Sequence, residues 1–319
     1  MGNCSSCVTS DNQINDYGRL ENALHITSPI FDANSNNNNW NHHKIGSVHS
    51  QVGAKGVNQD AALLYQGYGT KEGALCGVFD GHGLNGHVVS KFVRNQLPTS
   101  LLHPRKFMQW QDTFVTSFKA MDKEVKLLDN VDLTFSGSTA VVVVKQGDDL
   151  AIANLGDSRA VLGKLSENGI QAIQLTVDLK PGVPAETERI RNSKGRVFAL
   201  SNEQHIERVW LPEEDIPGLA MSRAFGDFDM KSHGIIVTPV VSHHHLSSDD
   251  LFVVLATDGV WDVLSNDEVV SIVWSVKNKE MAAKAVVDEA NAAWKQKFPR
   301  AKVDDCTVVC LFFHDKDDS

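Results

Sequence analysis

The sequence predicts an α+β domain built in layers, and three observations carry that reading. Apolar, β-branched runs of strand length recur at short spacing through the middle of the chain. Two helix-length segments stand between the first strand and that group, and a strand, two helices and a last strand close the chain. Neither a regular βαβ alternation nor an internal repeat is present, which argues against a doubly wound parallel sheet and a solenoid.

Taken in order, residues 9–43 are rich in Asn, Ser and Asp, include the run Asn36-Asn37-Asn38-Asn39 and show little hydrophobic period. They are expected to form a disordered spacer, with folded structure starting near Ile45. Residues 75–79 form an apolar strand that stops at Asp80-Gly81-His82-Gly83, a turn whose glycines permit close backbone approach to a ligand. Residues 86–102 and 107–128 have helical length and spacing. Strands are expected over 138–145, 150–154, 160–165 and 170–175, and their short connections favour antiparallel pairing. The run His243-His244-His245 is expected in a solvated loop, because consecutive residues do not readily converge on one ion. Residues 251–256 read as a buried strand, and Ser265 with Glu268 forms a capping box ahead of a helix. Residues 280–297 place Ala282, Val286, Ala290 and Ala293 on one helical face; Pro299 ends that helix, and 308–313 reads as the final strand.

The 319 residues are 42% hydrophobic and 22% charged, enough for one sizeable core. A net charge of −10 without a basic stripe argues against nucleic acid as the main partner. An anionic substrate would then need local positive charge, which bound metal ions supply. Five cysteines, two of them within the first seven residues, form no disulfide framework and point to a reducing compartment. Cys306 and Cys310 share one face of a strand and read as small buried hydrophobes. No run of about 18 apolar residues signals a transmembrane helix. The opening Met-Gly-Asn-Cys-Ser-Ser-Cys instead fits the N-myristoylation pattern, with Gly2 as acceptor. One myristoyl chain binds membranes only at roughly 10⁴ M⁻¹, so Cys4 or Cys7 is the expected site of a second, palmitoyl anchor.

Aspartates sit at the ends of these apolar runs in VNQD, GVFDGHG, NLGDSR, ATDGVWD and VDDCT. Carboxylates gathered from distant parts of a chain suit hard divalent cations. The ordered set Gly56-Val57-Asn58-Gln59-Asp60, Asp80-Gly81-His82-Gly83, Ser136-Gly137-Ser138-Thr139, Gly156-Asp157-Ser158-Arg159, Ser222-Arg223-Ala224-Phe225-Gly226-Asp227, Asp258-Gly259-Val260-Trp261-Asp262 and Asp304-Asp305 resembles the metal-dependent type-2C serine/threonine protein phosphatases, plant members in particular. Single DG or GD pairs mark only turns; seven fragments in family order are specific.

The resemblance implies a four-layer sandwich, two central antiparallel β-sheets flanked by α-helices, over residues 45–319; residues 1–44, on the motif and composition above, are expected as a lipidated, largely disordered N-terminal segment. It implies a centre of two Mg²⁺ or Mn²⁺ ions per subunit. Asp80 would bridge them, Asp258 and Asp304 would hold one, and the Gly81 carbonyl and Asp60 would serve the other. Asp157 and Asp262 match positions of a third, looser ion or are simply turn residues. A metal-activated water would attack phosphorus in line, with His82 as general acid or, alternatively, as an orienter of water. Asp227 would support the metal region, and 180–221 corresponds to a variable flap beside the site.

Two departures matter. Gln59 stands where many members carry a glutamate, removing a charge near the second ion. Lys55 replaces a phosphate-clamping arginine and keeps the charge without the bidentate fork. The expected activity is hydrolysis of phosphoserine and phosphothreonine on proteins, by a monomer at the cytoplasmic face of the plasma membrane if lipidated and otherwise in the cytoplasm. The competing reading is a phosphatase-like module that binds phosphoproteins with weak or no turnover.

Overall fold

A computed structural model describes residues 22–26, 45–102, 109–201 and 203–313. From the amino end, β1 (Ala23–Ile26), β2 (Gly46–Gln51), β3 (Ala61–Gln66), β4 (Ala74–Phe79) and β5 (Gly81–His82) precede helices α1 (Gly86–Leu102) and α2 (Trp110–Val125). A second strand group follows: β6 (Gly137–Ser138), β7 (Ala140–Gln146), β8 (Asp149–Leu155), β9 (Arg159–Ser166) and β10 (Gly169–Gln174). Helix α3 (Pro184–Asn192) leads into the short strands β11 (Arg196–Ala199), β12 (Glu207–Trp210), β13 (Pro217–Leu219) and β14 (Phe225–Gly226). The chain closes with β15 (Val240–His245), β16 (Asp250–Ala256), α4 (Asp258–Trp261), α5 (Asn266–Ser275), α6 (Ala282–Lys297) and β17 (Cys306–Phe312).

Two sheets form the centre, ordered β1-β3-β4-β7-β8-β15 and β10-β9-β16-β17-β2. Strand alternation divides the side chains between layers. Leu63, Leu75 and Val142 face α1 and α2, whose Val93, Leu97, Phe114 and Phe118 cover the first sheet. Their neighbours Leu64, Cys76 and Val141 point inward and meet Val253, Leu255, Val309 and Leu311 of the second sheet. The outer face of the second sheet packs on α4, α5 and α6 through Val254, Val270, Val286 and Ala290. Helices therefore lie outside both sheets, giving four layers. Cys306 and Cys310 lie together in that last cluster as buried side chains. The Ser265–Glu268 capping box forms at the start of α5. Among the described residues no helix is long and apolar enough to cross a membrane.

Two expectations need correction. Residues 23–26, inside the segment read as a disordered spacer, form β1 and pair with β3. The pairing is parallel, so the first sheet is not purely antiparallel. Leu24 and Ile26 pack against the core under α1 and α2, and that apolar pair was outweighed in sequence by the polar residues around it. The histidine run is an edge strand, not a loop. His243, His244 and His245 pair with Ala151, Leu150 and Asp149 of β8. Strand alternation sends neighbouring imidazoles to opposite faces; His244 meets Asp250 at 3.0 Å and His245 meets Asp149 at 2.8 Å. The lipidation candidates Gly2, Cys4 and Cys7 lie outside the described residues.

Register decides where the aspartates go. Ala61 at the start of β3 stands opposite Phe79 at the end of β4, so Asp60 and Asp80 emerge together. Ala256 at the end of β16 stands opposite Val308 near the start of β17 and opposite Arg159 at the start of β9. Asp258, Asp304 and Asp157 therefore leave the second sheet at one edge. Leu255 is fully buried between the sheets; Leu255→Ala should cost about 2–5 kcal/mol in denaturant unfolding, against about 1 kcal/mol for Ser265→Ala at the exposed cap of α5.

Candidate metal centre

Five carboxylates separated widely in sequence repel one another at the end of the sandwich. Asp80 and Asp258 come within hydrogen-bonding reach of each other, so the pair shares a proton when no cation lies between them. Burial first, then the charges of Asp258, Asp60, Asp304 and Asp157, push the Asp80 carboxyl well above the usual range. Burial, Asp157, Asp304 and Asp262 do the same to Asp258. Burial raises Asp157 to about 6, assisted by Asp178 and Asp262 and opposed by Lys180. Its Oδ1 is buried with no hydrogen-bond partner among the described residues.

This set fits a hard divalent cation. Oxygen donors of high charge density, a buried acceptor with no donor among the described residues, and carboxyls raised by burial and by one another's charge are what a cation would satisfy. Gly81 lies buried between Gln59 and Gly86, and a side chain there would collide with both backbones. Among the described residues no three acidic, imidazole or thiol groups already surround one ion-sized point.

Asp60 is fixed more elaborately than sequence indicates. It is buried, and its Oδ2 accepts from Thr257 Oγ1 at 2.8 Å. Burial raises its pKa to about 7; hydrogen bonds from Thr307 and Thr257 oppose the shift, while Asp305 and Asp304 add to it. The irregular segment ahead of it is pinned by Asp305, which accepts from Gly53 N at 2.7 Å and from Gln59 N at 2.8 Å. Asp305, Thr257 and Thr307 were assigned no role from sequence, since a loop-anchoring contact 246 residues away leaves no local pattern.

The two departures have structural consequences. Lys55 is ion-paired to Asp304 across the cleft mouth. Burial lowers its pKa, but Asp304, Asp258 and Asp80 outweigh that and hold it above the ordinary lysine value. Gln59 donates through Nε2 to the Gly83 carbonyl at 2.8 Å, a bond that a carboxylate cannot make. The substitution thus removes a charge and ties two loops of the site together.

His82 lies on β5, in a small sheet ordered β14-β6-β5. Its Nε2 is 2.7 Å from Asp227 Oδ2, and the Asp227 side chain is fully buried. Burial disfavours the charged imidazole, yet the Asp227 charge and hydrogen bond, with Asp157, outweigh it and raise the His82 pKa. Asp227 has a left-handed backbone, φ 50°, which aims its carboxylate back at the histidine. Gly137 makes room: a Cβ there would press on both Asp227 and His82. Asp227 therefore supports His82 and not the carboxylate cluster directly.

Arg223 and Phe225 flank this pair. Phe225 packs on Phe118 at 5.1 Å. Arg223 binds Glu186 of α3 at 2.6 Å, and Glu186 also accepts from Ser222 at 2.5 Å. Burial would raise the Glu186 pKa, but these bonds and one from Arg189 pull it down to about 2. The flap, with its own sheet β11-β12-β13, is thereby joined to the segment that carries Asp227. Asp262 is half exposed, 3.9 Å from Lys180, a cation that sequence reading did not single out.

The sequence model of the family described as Protein phosphatase 2C matches residues 43–296. Probable protein phosphatase 2C 72 of Arabidopsis thaliana is 56% identical over 289 residues, covering 86% of this chain and 87% of its own. Probable protein phosphatase 2C 61 of the same plant is 51% identical over 310 residues, covering 95% and 92%. Among solved structures, serine-threonine phosphatase 2C from Toxoplasma gondii superposes with a TM-score of 0.76 at 26% identity, covering 84% of this chain and 94% of that one.

The raised carboxyls fix a pH dependence. A carboxyl whose folded pKa exceeds its unfolded value binds more protons when folded, so stability falls as pH climbs from the unfolded value through the folded one. With Asp60 at about 7 and Asp157 at about 6, metal-free protein should lose melting temperature between about pH 4 and pH 7. Mn²⁺ at 100 times its Kd should restore about 2.7 kcal/mol at pH 7.5. Asp80→Asn should raise the metal-free melting temperature at that pH and abolish most of the Mn²⁺ effect, both read by thermal denaturation.

Proposed function

The chain belongs to the protein phosphatase 2C family of metal-dependent serine/threonine phosphatases, and on that premise we propose that its carboxylate cleft binds two Mg²⁺ or Mn²⁺ ions and that His82 carries the proton to the departing serine or threonine oxygen. The observation that carries this reading is the convergence of Asp80, Asp258 and their neighbours as uncompensated carboxylates beside a protonatable histidine.

Asp80 would be shared by both ions, with Asp258 and Asp304 on one and the Gly81 carbonyl and Asp60 towards the other. Asp157 and Asp262 are the groups for a third. Bound cations supply an acidified water and positive charge for the phosphoryl oxygens. Everything else falls to the chain. Asp227 holds the His82 ring and favours its protonated form, the state a general acid must start from. Protonation turns the leaving alkoxide into an alcohol and removes its negative charge. Lys55, drawn from its pair with Asp304, can meet a phosphate oxygen as a point charge.

The same ion pair favours the second reading, a phosphoprotein-binding module of weak turnover. Lys55 competes with metal for Asp304, and Gln59 adds no charge, so metal demand is expected to be high. Phosphate release from a phosphothreonine peptide, titrated with Mn²⁺, separates the two. The enzyme reading expects metal-dependent turnover, and a fall of about 10²–10⁴ in kcat for His82→Gln with peptide binding kept. Turnover without metal, or wild-type activity in Asp80→Asn, contradicts it. Tight peptide binding without turnover at any Mn²⁺ concentration supports the module.

Gly2 is proposed to carry myristate and Cys4 or Cys7 palmitate, anchoring a monomer to the cytoplasmic face of the plasma membrane. Mass spectrometry of the N-terminal peptide from plant-cell protein should find the Gly2 acyl mass, and Gly2→Ala should move the protein from membrane to soluble fractions. An unmodified Gly2 excludes the anchor.

A further inference from the structure

Strand β1 lies outside the span matched by the family, yet it reaches into the metal centre. Its pairing starts with Ala62 N donating to Asn22 O at 2.7 Å, two residues after the segment Asn58-Gln59-Asp60 ends. The Asn22 side chain turns back along that segment. Its Nδ2 donates to Asp60 O at 2.6 Å and to Asn58 O at 3.2 Å.

Residues 58–60 belong to no strand, so their peptide groups lack ladder partners and must find others. Five of the six are satisfied by side chains. Gln59 N donates to Asp305 and Asp60 N to Asn58 Oδ1, while Gln59 O accepts from Ser90 Oγ at 2.5 Å. The two remaining carbonyls, on either side, both depend on Asn22. Buried Arg94 of α1 also reaches Asn22 O at 3.4 Å, which ties the strand end to the helix beneath. On its other side β1 has no ladder partner among the described residues, and a groove lined by Ala23, Val48, His49, Ser50 and Asn58 borders it. The strand is held by β3, by Leu24 and Ile26, and by the Asn22 bonds themselves.

We infer that Asn22 is a positioning residue for the metal centre, its amide clamping the backbone on both sides of Gln59 so that Asp60 is presented in one place. The N-terminal segment, upstream of the span matched by the family, thereby tunes metal affinity. A backbone held by an asparagine amide cannot drift to relieve the repulsion among Asp60, Asp304 and Asp305; without the clamp, Asp60 would have to be brought into place whenever a cation binds. The inference rests on reading the carboxylate cluster as a metal site.

The test uses the full-length protein with Asn22→Ala, Asn22→Asp and, as a control of general stability, Asn278→Ala, which removes a capping acceptor for Glu280 N elsewhere. Mn²⁺ affinity is measured by calorimetry and backbone exchange by hydrogen–deuterium mass spectrometry on metal-free protein. Both Asn22 variants should weaken Mn²⁺ binding about tenfold and speed exchange in peptides spanning 59–62, with Asn278→Ala changing neither. Mn²⁺ affinity in Asn22→Ala within about twofold of wild type, or an equal loss in Asn278→Ala at the same melting temperature, overturns the inference. Wild type that fails to bind Mn²⁺ overturns the metal reading and this inference with it.

Discussion

Repulsion among buried carboxylates is the constraint around which this protein is organised. Bringing Asp80, Asp258, Asp60, Asp304 and Asp157 together costs free energy in proportion to how well they are desolvated, and among the described residues no buried cationic side chain neutralises them inside the cluster. Lys55 and Lys180 stand at the mouth and reach only its rim. The price of the arrangement is met by the four-layer core, where three apolar clusters hold the strand ends rigidly enough that the charges cannot spread apart.

Rigid sheets deliver the carboxylates, but irregular backbone presents them. Asp80 and Asp258 follow directly from β4 and β16, whose ladders fix them. Asp60 comes from a segment without ladder bonds and depends on Asp305, Ser90, Asn58 and Asn22. The same division holds around His82: the strand pair β5-β6 sets the backbone, while Asp227, in a left-handed conformation, sets the ring. Through Arg223 and Glu186 the flap is bound to that segment, so the flap and His82 share one connected framework.

Most elements were legible because their signals are local. The helix at α1 appears with the expected bounds, and the capping box at Ser265 forms as read. The alternation that separates Leu63 from Leu64 is written in the chain itself. Where reading failed, the cause was tertiary. Strand β1 is four residues in a polar stretch and exists because β3 offers an edge and the core takes Leu24 and Ile26. The histidine run became a strand because β8 offered the opposite edge.

By itself the sequence determined the layered α+β class and the list of acidic motifs, and with the family resemblance the chemistry they serve, since hydrophobic period and residue type act over a few neighbours. Tertiary structure decided which groups meet. It brought Asp227 to His82 across 145 residues, Asp305 to the Gln59 amide across 246, and Asn22 to the backbone of Asp60. Hydrogen bonds between distant groups are chosen by register and packing, and no short window of sequence contains both partners.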